Sequence, residues 1–352
     1  MRVLIIQQKM IGDVLISTIL CENIKKKYPD CTIDFIANAN TLAVLENNPF
    51  IDNIIIFEDK YRQSKLQLLK FLIHHRKTKY TAVVDCYAKL ESNLISLFSS
   101  AKLKISYKKS FSKLIYNKTF VRYLQADPHL PLAIKNRLAL LSPLNITIEE
   151  SIKKPKIYLT NDEIDNSRSY LENNGIDVND SIIMISVLGS NKNKTYPYLY
   201  MAKIIDNIAK ETNAVLLFNY IPSQRDEALK IYELCNEQSK KNIKVDVIAN
   251  SLRDFLGVLI HCKAIIGNEG GAVNMGKALE KPSFCLFTPS GKKEGWSVSN
   301  DNDHIAIHLK DFKPALFERK SKKELIKEID YLYQQFNPEL FTDKLIKFIK
   351  NL

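Results

Sequence analysis

The sequence is short of several features that would place it at once. No apolar run approaches the ~18–20 residues needed to span a bilayer. Its six cysteines, Cys21, Cys31, Cys86, Cys235, Cys262 and Cys285, form no Cys-x-x-Cys pair. A disulfide framework and a zinc site are therefore not expected, and the thiols inside apolar segments read as small hydrophobes. No G-x-G-x-x-G follows a strand, so dinucleotide redox chemistry is unsupported. No Walker loop, nucleophile elbow or Ser-His-Asp order is present. The opening Met1-Arg2-Val3-Leu4-Ile5-Ile6 is too short and too quickly polar for a secretion signal. Together these absences point to a cytoplasmic protein.

Acidic residues are also unevenly scarce. Residues 1–150 hold 22 Lys/Arg against 13 Asp/Glu, a net of +9 out of the +12 carried by the whole chain. Between residues 60 and 122, 15 basic residues face only Asp85 and Glu91. Across Lys60–Lys79, Leu66, Leu69 and Ile73, with Leu68 and Leu72, mark one helical face, while Lys65, Lys70, Arg76 and Lys77 take other positions. Across Lys102–Arg122, Lys104, Lys108, Lys109, Lys113 and Lys118 alternate with Tyr107, Phe111, Leu114, Ile115, Tyr116 and Phe120. A one-sided basic surface attracts anionic partners: nucleic acid, a membrane face or a phosphorylated glycolipid. A solvated Lys-rich face explains one such helix, but not a block of this length.

At 352 residues, 45% hydrophobic and 26% charged, the chain can bury a substantial core, and at roughly 100–200 residues per domain two domains are expected. Short β-rich runs alternate with helical ones: Arg2–Gln7, Thr32–Ala37, Asn53–Phe57, Thr81–Cys86 and Leu103–Tyr107 read as strands. A helix from Gly12-Asp13 closes on Lys25-Lys26-Lys27, cations suited to a C-terminus. The pattern breaks over residues 143–165. It resumes with strands Ser181–Leu188, Ala214–Phe218, Lys244–Ile248, Ala264–Gly267 and Ser283–Phe287, and helices near Tyr198–Thr212, Gln224–Glu237, Leu252–Cys262 and Val273–Leu279. From about Ser321 two helices with polar faces follow. Such alternation predicts parallel sheets covered by helices. We divide the chain into residues 1–160, 161–320 and 321–352. Two successive open α/β domains imply a ligand cleft at the carboxyl ends of their strands.

Three segments carry chemistry. After the first strand comes Lys9-Met10-Ile11-Gly12-Asp13, with Asp13 at a helix start. It reads as an N-cap from spacing alone, and as a proton acceptor if it borders a cleft. Gly267-Asn268-Glu269-Gly270-Gly271-Ala272-Val273-Asn274 carries a strand through a glycine turn into a helix, an arrangement that points backbone N–H groups at a diphosphate. Gly189–Pro197, again after a strand, contains Lys194 and Thr195; a solvated loop is its ordinary reading, leaving-group neutralisation its functional one. Asp301-Asn302-Asp303 and the pair His304 and His308 read as structural or solvated, since Ile-Ala-Ile between the histidines favours a strand.

These motifs, in order, resemble glycosyltransferase family 9, the lipopolysaccharide heptosyltransferases. The matching residues are Gly12-Asp13-Val14-Leu15, Lys26-Lys27-Tyr28-Pro29-Asp30 before Asp34-Phe35, Asn48-Pro49-Phe50-Ile51-Asp52, Lys194-Thr195-Tyr196-Pro197 (in the family Lys-x-Trp-Pro), and Ser251-Leu252-Arg253-Asp254 followed by Ala264–Leu279 and Pro282–Pro289. The resemblance implies a GT-B fold, two Rossmann-like domains facing each other across a cleft. The first would bind the acceptor and the second a nucleotide-sugar. It implies inverting transfer of heptose or a related sugar from a nucleoside-diphosphate-sugar, ADP-heptose or similar, to an anionic glycolipid of the lipid A/Kdo type, with no metal and no cofactor. Asp13 would be the base and Lys194 the leaving-group contact. Gly267, Asn268, Glu269, Gly270, Gly271, Asn274, Gln224 and Thr195 would contact the donor, and Lys9 and Gly12 the acceptor. The basic 60–122 region would touch the inner membrane face, and nucleic acid is not expected.

The departures fall on donor recognition. The family's Asp-Ser/Thr-Gly-Pro-x-His is here Glu269-Gly270-Gly271-Ala272-Val273-Asn274, and its Glu after the third strand of the second domain is replaced by Pro222-Ser223-Gln224. A non-catalytic nucleotide-sugar binder and a basic nucleic-acid binder are the competing classes.

Overall fold

The computed structural model describes every residue except 111, 299 and 300, so Phe111 of the second basic stretch lies outside the described residues. The chain forms two compact units, Met1–Tyr158 and Leu159–Leu352. Each is built on one six-stranded parallel sheet.

In the first unit β1 (Arg2–Ile6), β2 (Thr32–Ala37), β3 (Asn53–Ile56), β4 (Ala82–Asp85), β5 (Leu103–Tyr107) and β6 (Lys118–Phe120) lie in the order β3-β2-β1-β4-β5-β6. Val3 to Ile6 are all buried, the near-continuous apolar run expected of a strand covered on both faces. The second unit repeats the plan. Its strands β7 (Ile182–Ser186), β8 (Val215–Asn219), β9 (Ile243–Lys244), β10 (Ala264–Asn268), β11 (Ser283–Leu286) and β12 (His304–Ile307) run β12-β11-β10-β7-β8-β9. Both are the doubly wound Rossmann order. It reverses between β1 and β4 in one sheet and between β7 and β10 in the other, and ligands of open α/β sheets bind outside the strand ends at such points.

The strand and helix readings hold with small shifts of boundary, but several features differ. β6 is an additional edge strand. The stretch read as β9 over Lys244–Ile248 pairs only at Ile243–Lys244. The C-terminal segment forms three helices, Lys322–Lys327, Ile329–Gln334 and Thr342–Lys350, rather than two. They do not stand apart: Leu332, Phe336, Phe341, Leu345 and Phe348 pack into the apolar core of the second unit with Ile185, Ile266 and Phe284. The connection begins a helix at Asn161, where the Thr160 hydroxyl accepts from Glu163 N and the Glu163 carboxylate accepts from Thr160 N.

The helix Lys65–Arg76 divides the apolar face read from its sequence. Leu66, Leu69 and Ile73 face solvent, 61%, 43% and 49% exposed. The buried side carries Phe71 and Leu72, which pack with Leu4, Phe57, Tyr80 and Ile95. All six cysteines are buried free thiols, and burial pushes Cys262 and Cys285 up to about 12.

Candidate functional site

At the switch point of the first unit, β1 leads through Lys9 and Met10 into the helix Ile11–Lys27. Met10 adopts φ 68°, a left-handed conformation unusual for a non-glycine, and no side chain caps the helix it precedes. Asp13 stands in the first turn, half-exposed, while Gly12 is buried beside it. The expected N-cap role is therefore not what the Asp13 side chain does. Its Oδ1 accepts a hydrogen bond of 2.5 Å from Arg137 Nη2.

Arg137 is buried in the helix Leu132–Leu138. Its Nε donates to Ser17 Oγ at 2.9 Å, and its Nη1 donates to Ala133 O at 3.1 Å. Sequence reasoning missed this residue. The available signal was a charged side chain on the apolar face that also carries Ile134, Leu138 and Leu141. Just before the turn, Gln8 is fully buried, and its carboxamide finds no hydrogen-bond partner among the described residues. β4, on the far side of the switch point, ends at Asp85. Its carboxylate accepts from Tyr87 N, Ala88 N and, at 2.5 Å, Tyr116 Oη. Burial raises the Asp85 carboxyl above the usual carboxylate range against those bonds. The cluster fixes the β4 loop.

At the switch point of the second unit the two remaining motifs meet. Lys194, in the loop after β7, places its Nζ 3.7 Å from Oε1 of Glu269, the first residue past β10. Lys194 is 41% exposed and Glu269 only 14%. Burial lifts the Glu269 carboxyl above its ordinary range, and the Lys194 ammonium opposes the rise.

Several residues expected to contact a donor also bond within the loops that carry this pair. Asn268 is buried. Its Nδ2 donates to Ser186 O and Val187 O, both at 2.9 Å, and its Oδ1 accepts from Tyr196 N at 2.7 Å. Thr195 Oγ1 accepts from Gly189 N and donates to Asn191 O. Gln224 Nε2 donates to Gly189 O at 3.0 Å. Tyr196, in the place of the family's Trp, is the buried anchor: its hydroxyl donates to Phe336 O and its ring packs edge-on to Tyr333 and Phe336. Thr288 and Tyr333 hydroxyls both donate to Asn193 O.

The glycines divide likewise. Gly267 has φ +134°, and a Cβ there would overlap Ser186 O of the paired strand. The fold demands it. Gly270 is extended, at φ 168°, with open space where a Cβ would stand, so none of the described residues requires glycine there. Gly270 and Gly271 open the helix Gly271–Ala278, with Asn274 half-buried in its first turn. An ammonium, the free N–H groups of a helix start and a half-buried carboxylate thus converge on one strand end. Cation and N–H groups suit an anion, and the carboxylate suits a hydroxyl donor.

Among the described residues no group of three or more His, Cys, Asp or Glu could hold a metal. Asp301 Oδ1 accepts from Asp303 N and His304 N, closing its own turn, and His304 begins β12.

Comparison with known proteins bears on the family and the fold. The model of glycosyltransferase family 9 (heptosyltransferase) matches residues 69–325. Lipopolysaccharide heptosyltransferase 1 of Campylobacter coli is 27% identical over 311 residues, covering 82% of this chain and 85% of its own. A crystal structure of a family 9 glycosyl transferase from Veillonella parvula superposes with a TM-score of 0.75 at 16% identity, over 95% of this chain and 97% of that one. An E. coli heptosyltransferase solved with ADP-2-deoxy-2-fluoro heptose gives 0.66 at 15% identity, over 87% and 93%. The fold is thus of GT-B type, with two Rossmann-like units, and the chain belongs to glycosyltransferase family 9.

Proposed function

We propose that this chain is an inverting glycosyltransferase that moves heptose or a related sugar from a nucleoside-diphosphate-sugar to a lipopolysaccharide or lipooligosaccharide core acceptor. The observation that carries the reading is the Lys194–Glu269 pair beside Gly270, a glycine at which no described neighbour leaves too little room for a side chain. The diphosphate lies on the N–H groups of Gly270 and Gly271, and Glu269 accepts from a sugar hydroxyl. Asp13 takes the proton of the acceptor hydroxyl as its oxygen bonds to the anomeric carbon. The bond from that carbon to the diphosphate breaks, and the electron pair leaves on the diphosphate, where Lys194 offsets the growing charge. Relatives named for lipopolysaccharide and the solved ADP-sugar complex support ADP-heptose or a close analogue as donor. The basic first unit favours an anionic acceptor of lipid A/Kdo type at the cytoplasmic face of the inner membrane.

The substitution of Asp by Glu lengthens the acidic arm, so a smaller or displaced sugar fits the same anion site. A thermal-shift panel of nucleotide-sugars tests the donor: the true one, at a hundredfold its dissociation constant, stabilises the chain by about 2.7 kcal/mol. No response to any nucleoside-diphosphate-sugar overturns the reading.

A further inference from the structure

We propose that the helix Lys65–Arg76 is a membrane-docking element, laying a ridge of aliphatic side chains into the interface of an anionic bilayer. Leu66, Leu69 and Ile73 recur at the i, i+3, i+7 spacing of one helical stripe, and that stripe is exposed. The side facing away from it is already buried through Phe71 and Leu72, so the ridge is surplus to the core. Around the helix axis Lys65 and Arg76 fall on one flank of the ridge and Lys70 and Lys77 on the other, all exposed. No acid lies on the helix. The two acids between residues 60 and 122 are both occupied: Asp85 is buried under Tyr116, and Glu91 is paired with Arg62. The helix Leu90–Phe98 packs alongside and exposes Leu90 and Leu97. The segment beyond β5 exposes Leu114, Val121 and Leu124 among Lys113, Lys118 and Arg122.

Aliphatic carbon flanked by cations is the composition of an interfacial helix: the carbon enters the headgroup–acyl boundary and the ammonium groups meet lipid phosphate. Nucleic acid makes poorer use of this face, because a single strand is held by stacking on planar side chains and the ridge has none. A second copy carries the same +12 and would oppose cation to cation. The proposal rests on the preceding reading only in giving the bilayer a purpose, as the place where a lipid-borne acceptor is met.

Co-flotation of the full chain with phosphatidylcholine vesicles, with and without phosphatidylglycerol, tests it. Capture by the anionic vesicles alone is expected. Replacing Leu66, Leu69 and Ile73 by serine should weaken it about tenfold or more, with the melting temperature and the nucleotide-sugar thermal shift unchanged. Lys65→Gln with Lys70→Gln and Lys77→Gln should abolish the preference for phosphatidylglycerol. Wild-type flotation by the triple serine variant overturns the proposal, as does absence of binding to either vesicle. So does a wild-type dimer that the triple variant dissociates, or RNA binding that depends on the same leucines. A wild type that binds neither vesicle while transferring to a soluble acceptor condemns the docking helix alone. Intact, ridge-dependent vesicle binding without any transfer condemns only the enzymatic reading.

Discussion

Asp13 Oδ1 sits 2.5 Å from Arg137 Nη2, and Arg137 is in turn locked by Ser17 and Ala133, so the proposed base is aimed by a buried guanidinium 124 residues away in sequence. Arg137→Lys keeps the charge but loses the planar fork that reaches Asp13 and Ser17 together. It should lower kcat about tenfold to a hundredfold, with donor affinity unchanged. Arg137→Ala should also destabilise the first unit by about 3 kcal/mol, because it strips a partner from a largely buried pair. Steady-state kinetics, donor titration and denaturant unfolding separate the two effects. An unchanged kcat in Arg137→Lys would show that the guanidinium only packs.

Two glycines three positions apart should respond oppositely to alanine. Gly267→Ala places a methyl on Ser186 O at a positive φ and should cost about 2–4 kcal/mol of stability. Gly270→Ala meets open space on an extended backbone, so stability should hold within about 0.5 kcal/mol. Donor affinity should nonetheless fall, as the methyl intrudes on the diphosphate. Calorimetric melting and nucleotide-sugar titration on both variants provide the readouts. Full donor affinity in Gly270→Ala would remove the diphosphate from that turn.

Lys194→Gln should reduce transfer about 10²- to 10³-fold, the scale of losing one electrostatic contact to a developing charge. Its stability should barely move, since Lys194 is 41% exposed and its contact with Glu269 is long, at 3.7 Å. Equal losses of stability and rate would instead mark Lys194 as a structural member of its loop.

The parallel, helix-covered sheets could be read from the sequence because buried parallel strands are apolar runs, as in Val3–Ile6 and Ile182–Ile185. Asp13, Lys194 and the glycine turn stood out for a related reason: each directly follows such a run. What local pattern could not supply was direction. Leu66, Leu68, Leu69, Leu72 and Ile73 were read as one helical face, yet of these only Leu72 is buried, beside Phe71, and only the sheet beneath decides that. Asn268 follows the same logic. Its position in the motif suggested a ligand contact, and its carboxamide is spent on Ser186, Val187 and Tyr196. Arg137 was missed because its partner lies in another element, and only the apolar face around it marked it out. β6 is three residues of an edge strand, Lys-Thr-Phe, too short for alternation to register.

Glu269 gives a pH signature. Burial holds its carboxyl above the usual range in the folded chain, so in the window between the unfolded and folded values the native state binds more protons. Stability therefore declines as pH rises through that weakly acidic window and levels off above it. Ionisation of Glu269 in the same window should improve donor binding, as the carboxylate becomes a full acceptor. Glu269→Gln should flatten both dependences, measured by unfolding and by donor titration from weakly acidic to neutral pH. A wild-type dependence that survives in Glu269→Gln assigns the titration to another group.

The most direct measurement compares wild type and Asp13→Asn for ADP release and glycosylated product, with ADP-heptose and a lipid A/Kdo-type acceptor, alongside donor binding by thermal shift. Wild-type transfer, its loss in Asp13→Asn by at least about a thousandfold and retained donor binding are the expected results. Turnover by Asp13→Asn near the wild-type rate, or a wild type that binds no nucleotide-sugar, would contradict the assignment of base and donor sites together.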